Sequence, residues 1–179
     1  ENFYKNQIWD IAITNMQPYL NVYALKEPLV YQYGKFDFPR NIEKAISLYK
    51  LSIKKGEKSC YGKLGDIYYE GTDTLQPDAE KALFYYTEAI KNGNTNNLYN
   101  IAQIYHNGIH PKYSPNTLAA QEIYELIINE GENKFNKWTI SKAKENILDI
   151  RSYDNNNFFN NEGNSQQLPG NLVYDIKKL

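Results

Sequence analysis

The segment Leu64-Gly65-x-x-Tyr68-x-x-Gly71 returns 37 residues later as Ile101-Ala102-x-x-Tyr105-x-x-Gly108. A second block, Lys44-Ala45-x-x-x-Tyr49-x-x-x-Ile53-x-x-Gly56, returns at Lys81, Ala82, Tyr86, Ile90 and Gly93. It comes back once more, displaced by 38, at Ala120, Tyr124, Ile128 and Gly131. Self-similarity at a fixed period of a few tens of residues marks a chain of identical supersecondary units, each too small to bury its apolar face alone. Such units stack on their neighbours and form a solenoid, which works mainly by presenting a surface.

Each unit reads as two helices. The first, over about Ser59 to Glu70, places Tyr61, Leu64, Gly65 and Tyr68 on one stripe at i, i+3, i+4, i+7, and Gly71 ends it. The second opens at Asp78, an N-cap residue following the helix-stopping Pro77, and carries Ala82, Tyr85, Tyr86, Ala89 and Ile90 on its apolar side. The next unit repeats the plan, with helices over Asn97–Asn107 and Leu118–Asn129 and stops at Gly108 and Gly131. Small residues at Gly65, Ala102, Ala45, Ala82 and Ala119 let paired backbones approach, while Tyr and Leu fill the space beside them. Upstream, Tyr31-x-x-Gly34 is a worn copy of a first-helix end, with Pro28 interrupting its expected middle.

The ends differ, as terminal units of a solenoid do. Residues 1–30 read as a helical N-terminal cap, with Ile8, Trp9, Ala12, Ile13 and Met16 on one side of a helix from Phe3 to Met16. Residues 31–131 hold the repeats, and 132–151 an amphipathic capping helix with Trp138, Ala143, Ile147 and Ile150 facing inward. From Ser152 to Leu179 the chain is an Asn-rich tail, read as extended, that ends in the apolar run Leu172-Val173-Tyr174-Asp175-Ile176.

Gly/Ala-x-x-Tyr-x-x-Gly, a turn, and Asp/Asn-x-x-Lys-Ala-x-x-x-Tyr-x-x-Ala/Ser-Ile-x-x-Gly together resemble the Sel1-like repeat, a variant of the tetratricopeptide repeat. The first copy departs from it at Pro28, and the third carries Ala119-Ala120-Gln121 where Lys-Ala is expected. The resemblance implies an all-α fold, a right-handed α-α superhelix of about three helix pairs. It also implies a scaffold or adaptor role, since members of the family occur in endoplasmic-reticulum quality-control complexes, bacterial effectors and signalling adaptors. In repeats of this type the first helices line the concave face. Their positions off the packing stripe are therefore the candidate protein-binding residues: Lys63, Asp66, Ile67 and Glu70, and one period later Asn100, Gln103, Ile104 and Asn107. Amides that both donate and accept suit an extended peptide backbone. Leu172 and Tyr174 in the tail complete the set.

Composition removes several other classes. A net charge of −1 generates no global field toward nucleic acid. Locally the charge is divided: residues 40–63 sum to +5 and residues 64–90 to −5, which reads as two solvated faces attracting each other across neighbouring repeats. Cys60 is the single cysteine, so no intrachain disulfide forms and a reducing intracellular compartment is favoured. No stretch approaches the ~20 apolar residues of a membrane span. His106 and His110 flank Gly108 without a His-Glu-x-x-His pattern, and no phosphate loop, dinucleotide fingerprint or nucleophile elbow occurs. No enzyme activity, metal, cofactor or small-molecule substrate is therefore expected. Of the 17 tyrosines, Tyr49, Tyr68, Tyr86, Tyr105 and Tyr124 fall on packing stripes, while Tyr69, Tyr85 and Tyr99 are free to form an aromatic contact surface. The expected role is a non-enzymatic scaffold in a larger assembly, organellar or viral given the Asn-, Lys- and Tyr-rich composition. The alternative is a recruiting adaptor of an enzyme complex such as an endoplasmic-reticulum ubiquitin ligase.

Overall fold

A computed structural model of the chain describes residues 26–35, 38–109 and 114–156. The expected Phe3–Met16 helix, His110 and the tail beyond Asn156, with Leu172 and Tyr174, lie outside the described residues. Apart from an isolated bridge between Thr72 and Leu75, the regular structure of the described residues is helical. The chain divides into two compact units, Glu1–Cys60 and Tyr61–Leu179.

In the first unit, α1 (Lys26–Tyr33) packs on α2 (Ile42–Lys54). Pro28 does not interrupt α1; it sits in the first turn, where a missing N–H removes no intrahelical bond. Asn41 caps α2 by accepting from the Lys44 N–H at 2.9 Å, and Ile42, Ala45, Tyr49 and Ser52 face inward. The Tyr49 hydroxyl, fully buried, donates to Gln32 Oε1 at 2.7 Å. Cys60 is buried as well, so the thiol is pushed up to about 11, chiefly by burial, then by Glu57, with a hydrogen bond from Ser52 opposing.

The second unit continues with α3 (Cys60–Glu70), α4 (Ala79–Lys91), α5 (Asn97–Asn107), α6 (Thr117–Glu130), a 3₁₀ turn over Gly131–Asn133, and α7 (Lys137–Asn156). Helix α5 packs on α4 and α6, and α6 on α7. Helix α3 meets α4 through Tyr68 stacked on Tyr85, with centroids 5.4 Å apart.

The sequence period is reproduced atom by atom. Gly34, Gly71 and Gly108 each donate to the carbonyl four residues back and hold φ of 65°, 65° and 66°. The cap residues Asn41, Asp78 and Asn116 then send their backbone N–H to the carbonyls of Tyr31, Tyr68 and Tyr105 at 2.8, 2.7 and 2.7 Å. These bonds clamp the start of each second helix to the end of its first. Both α2 and α4 end in a Schellman closure. Gly56 donates to Ile53 and Glu57 to Ser52, and one period on Gly93 donates to Ile90 and Asn94 to Ala89.

The capping helix differs from its expected form in two ways. Its inward stripe is Thr139, Ala143, Ile147 and Ile150, so Trp138 is displaced by one residue and is 60% exposed rather than inward. It also runs to Asn156, past the expected end at Arg151. The N-terminus of α7 is held from a distance. Asn136 caps it through the Thr139 N–H at 2.8 Å, Asn96 Oδ1 accepts from Thr139 Oγ1 at 2.9 Å, and Thr95 Oγ1 donates to the Lys134 carbonyl at 2.6 Å.

Candidate interaction face of the second unit

The first helices α3 and α5 lie side by side. Asn97 and Gly62 are so close that a β-carbon on the glycine would stand 2.9 Å from Asn97 Oδ1. Helix α5 is flanked by α3, α4 and α6, which leaves only a narrow strip of it open. Ile104, 0% exposed, falls under those flanks, and Ile67 on α3 is likewise 2% exposed. Both are core residues and correct the expectation of surface positions. The apolar stripe is wider than two helices packing on one side would require.

The polar candidates do share one strip, and there they bind one another. Asp66 accepts from the Tyr86 hydroxyl at 3.0 Å and from Asn100 at 3.5 Å, while Lys63 stands 3.4 Å from its other oxygen. One period on, Gln103 occupies the place of Asp66 and donates to the Tyr124 hydroxyl at 2.7 Å and to Tyr99 at 3.1 Å. Asn107 donates to Gln103 Oε1 at 3.2 Å and to the Tyr69 hydroxyl at 3.0 Å. The amides expected to receive a peptide backbone are thus largely engaged internally, which makes the strip stiff rather than adaptable. Glu70 is exposed at its edge.

The tyrosines at the centre of each second helix anchor this network from below. Tyr86 and Tyr124 are 1% and 0% exposed, with only their hydroxyls reaching the strip. Burial raises both phenols well above the usual range, with Asp66 adding to the effect at Tyr86 and Tyr99 at Tyr124. His106 Nδ1 lies 3.5 Å from the Tyr124 hydroxyl, and burial lowers its basicity against an opposing pull from Asp149. With Nδ1 unprotonated, a neutral imidazole there can accept a hydrogen bond from the hydroxyl.

Helix α7 completes the face and supplies what the sequence reading missed. Asn146 donates to Tyr99 and Tyr124 at 3.1 and 3.0 Å. Trp138 meets Tyr99 edge-on, with centroids 5.5 Å apart and planes at 69°. The signal was present, because a polar Asn146 spaced i+3 from Ala143 and i−4 from Ile150 belongs to an inward stripe only if it has a partner there. Tyr69 and Tyr99 stand on this face as anticipated; Tyr85 instead stacks on Tyr68, whose ring also carries Lys81 Nζ at 5.3 Å.

The ion pairs Lys63–Asp66, Lys81–Asp78, Lys91–Glu88 and Lys142–Glu145 each join residues three apart. Each of these pairs is local to one helix or its cap. Among the described residues no group of three or more His, Cys, Asp or Glu is placed to hold a metal ion, and no helix is long and apolar enough to cross a membrane.

Stacked helix pairs with a continuous first-helix face define a helical-repeat scaffold of the tetratricopeptide-like class. The Sel1 repeat family model matches residues 23–57, 59–94 and 98–132, more than half of the chain. The chain belongs to the Sel1-repeat family, and its fold is that family's α-solenoid. Among solved structures, the crystal structure of a Sel1 repeat protein from Oxalobacter formigenes matches at 20% identity with a TM-score of 0.50, covering 77% of this chain and 98% of that one. A likeness at that identity establishes the fold alone. No curated protein matches the chain. Sel1 repeats are in general protein–protein interaction modules, typically non-enzymatic.

Proposed function

We propose that this protein is a non-enzymatic scaffold subunit of a larger multiprotein assembly, and that it engages a partner protein through the first-helix face of its second unit. The observation that carries this reading is Trp138, 60% exposed yet fixed edge-on against Tyr99 beside a prearranged strip of amides. A large aromatic with few rotatable bonds loses little entropy when a partner covers it, and tryptophan and tyrosine are enriched at interface hot spots. The strip of Lys63, Asp66, Asn100, Gln103 and Asn107 forms the polar surround that keeps water from such an anchor.

The test is quantitative affinity purification of the full chain from native lysate with crosslinking and mass spectrometry, run in parallel with Trp138→Ala. The expected result is a stoichiometric partner crosslinked near Lys63 or Lys142, whose recovery falls at least about tenfold in the variant, the effect of losing a hot-spot side chain. The stability of the variant should change by no more than about 0.5 kcal/mol, as for an exposed substitution. A chain recovered without any stoichiometric partner, or a partner indifferent to Trp138→Ala, overturns the reading.

A further inference from the structure

The internal bonds of the first-helix strip consume its donors and leave its acceptors. Gln103 spends both amide N–H groups on the hydroxyls of Tyr99 and Tyr124, and Asn146 spends both on the same pair. Asn107 spends both on Gln103 Oε1 and the Tyr69 hydroxyl, and Asn100 turns its amine toward Asp66. The oxygens Oδ1 of Asn100, Asn107 and Asn146 then receive no donor among the described residues. They are not sealed in, because Thr87 Oγ1 alone among the described residues is a buried polar side-chain atom without a hydrogen bond. Each such oxygen has room for more than one donor. Against them, the amides and hydroxyls of the strip keep as spare donors only the phenol protons of Tyr69 and Tyr99 and one N–H of Asn100.

The charges lean the same way. Lys63 is held by Asp66 at 3.4 Å and Lys142 by Glu145 at 2.6 Å. Glu70 and Asp149 are exposed and form no ion pair among the described residues. Both bear on the strip, Glu70 on the Tyr86 hydroxyl and Asp149 on the His106 ring. Lys137 is the opposing charge, and it lies about 100° round α7 from Trp138.

Taking this face as the partner surface proposed above, we infer that its occupant is an arginine-bearing segment of the partner protein. One guanidinium lies on the Trp138 ring, and the N–H groups of the segment meet the three amide oxygens and the Glu70 and Asp149 carboxylates. Arginine brings donors and no acceptor, stacks flat on aromatic rings, and sheds its water more readily than lysine. Trp138, 60% exposed and held edge-on by Tyr99, keeps ring surface for such a contact. An extended backbone alone carries as many acceptors as donors, so half its groups would meet their own kind here. An acidic or phosphorylated segment would set acceptors against acceptors.

Peptide titration of the full chain tests this. The probes are acetylated, amidated Gly-Ser-Xaa-Gly-Xaa-Ser-Gly peptides with Xaa as arginine, citrulline or glutamate. The readout is the indole N–H resonance of Trp138, assigned by its loss in Trp138→Phe and so distinguished from Trp9. The arginine peptide should shift it saturably, and bind at least about threefold more tightly than the neutral citrulline peptide, the gain of a cation on an exposed ring. The glutamate peptide should leave it in place. Glu70→Gln with Asp149→Asn should weaken the arginine peptide several-fold with helical circular dichroism unchanged, and added salt should do the same. An arginine peptide that binds no better than the other two, or that ignores the two neutralised carboxylates, overturns the inference. A lysate partner that depends on Trp138 alongside an inert arginine peptide leaves the surface standing and sinks its assigned chemistry. Arginine-selective binding without any lysate partner upholds the chemistry and sinks the scaffold role.

Discussion

Tyr86 lies against Gly65 so closely that a β-carbon on the glycine would stand 2.4 Å from two ring carbons. The ring has nowhere to go, because Tyr86 is buried and its hydroxyl is fixed on Asp66. One period later Ala102 fills the equivalent place with no such constraint in the sequence. Helix α3 and α4 are therefore packed more tightly at this point than α5 and α6 need to be.

Gly65→Ala should gain up to about 1 kcal/mol of helix propensity and lose about 1–3 kcal/mol to overpacking. The expected net is a destabilisation of about 1 kcal/mol in urea unfolding. A stabilised variant would show that Tyr86 can shift despite its close packing on Gly65.

Removing the Tyr86 hydroxyl deletes a bond to a carboxylate, whereas removing that of Tyr124 leaves Gln103 and Asn146 with Tyr99 as a second acceptor. Tyr86→Phe should cost about 1–2 kcal/mol and Tyr124→Phe about half that, since bonds to charged groups are the stronger class. Equilibrium denaturation of the two variants reads the order directly, and the reverse order contradicts the assignment.

Alkaline pH should unfold the protein cooperatively. Tyr86, Tyr105 and Tyr124 are held neutral by burial, Tyr105 up to about 12 and the other two higher still, against 10 for a free phenol. Because the folded-state values are raised, their contribution is fully present below pH 10 and is lost as the unfolded phenols ionise above it. Each costs about 1.4 kcal/mol per pH unit in that window. Helical circular dichroism and tyrosinate absorbance should therefore change together, near pH 11 to 12. Ionisation of these three beginning near pH 10 with the helices intact would show the hydroxyls open to solvent.

The three cap residues offer an internal control. Asn41→Ala, Asp78→Ala and Asn116→Ala each remove the same capping bond, of 2.9, 3.0 and 3.0 Å, and leave the backbone clamp to the preceding tyrosine, Asp78→Ala removing in addition the exposed ion pair with Lys81. Each should cost about 1 kcal/mol. Thermal unfolding of the three variants checks this, and a cost near zero at all three would mean that the backbone clamp alone starts these helices.

The repeats were legible in the sequence because their determinants are local and periodic: glycines at positive φ, cap residues, and buried tyrosines each recur at the spacing of the fold. What escaped is long-range. Nothing near Asn107 announces Tyr69, 38 residues away, and nothing near Asn146 announces Tyr99, 47 away. Trp138 was misplaced for a different reason. Thr139, a small polar residue, takes the inward position by bonding to Asn96, so hydrophobicity alone picks the wrong register by one residue. Ile67 and Ile104 failed because the number of neighbours around a helix is a property of the stack, not of the helix.

The ends of the helix pairs bear on how the array can grow. Helices α2 and α4 finish with matched Schellman closures, so a duplicated copy of residues 58–94 would meet compatible geometry on both sides. Gly131 finishes α6 with a single N–H bond to Ile127, and a 3₁₀ turn follows. Beyond it, α7 is tied back to Asn96. Tandem duplication can thus lengthen the array from within, whereas a repeat inserted after Gly131 would have to break the tie between Thr139 and Asn96.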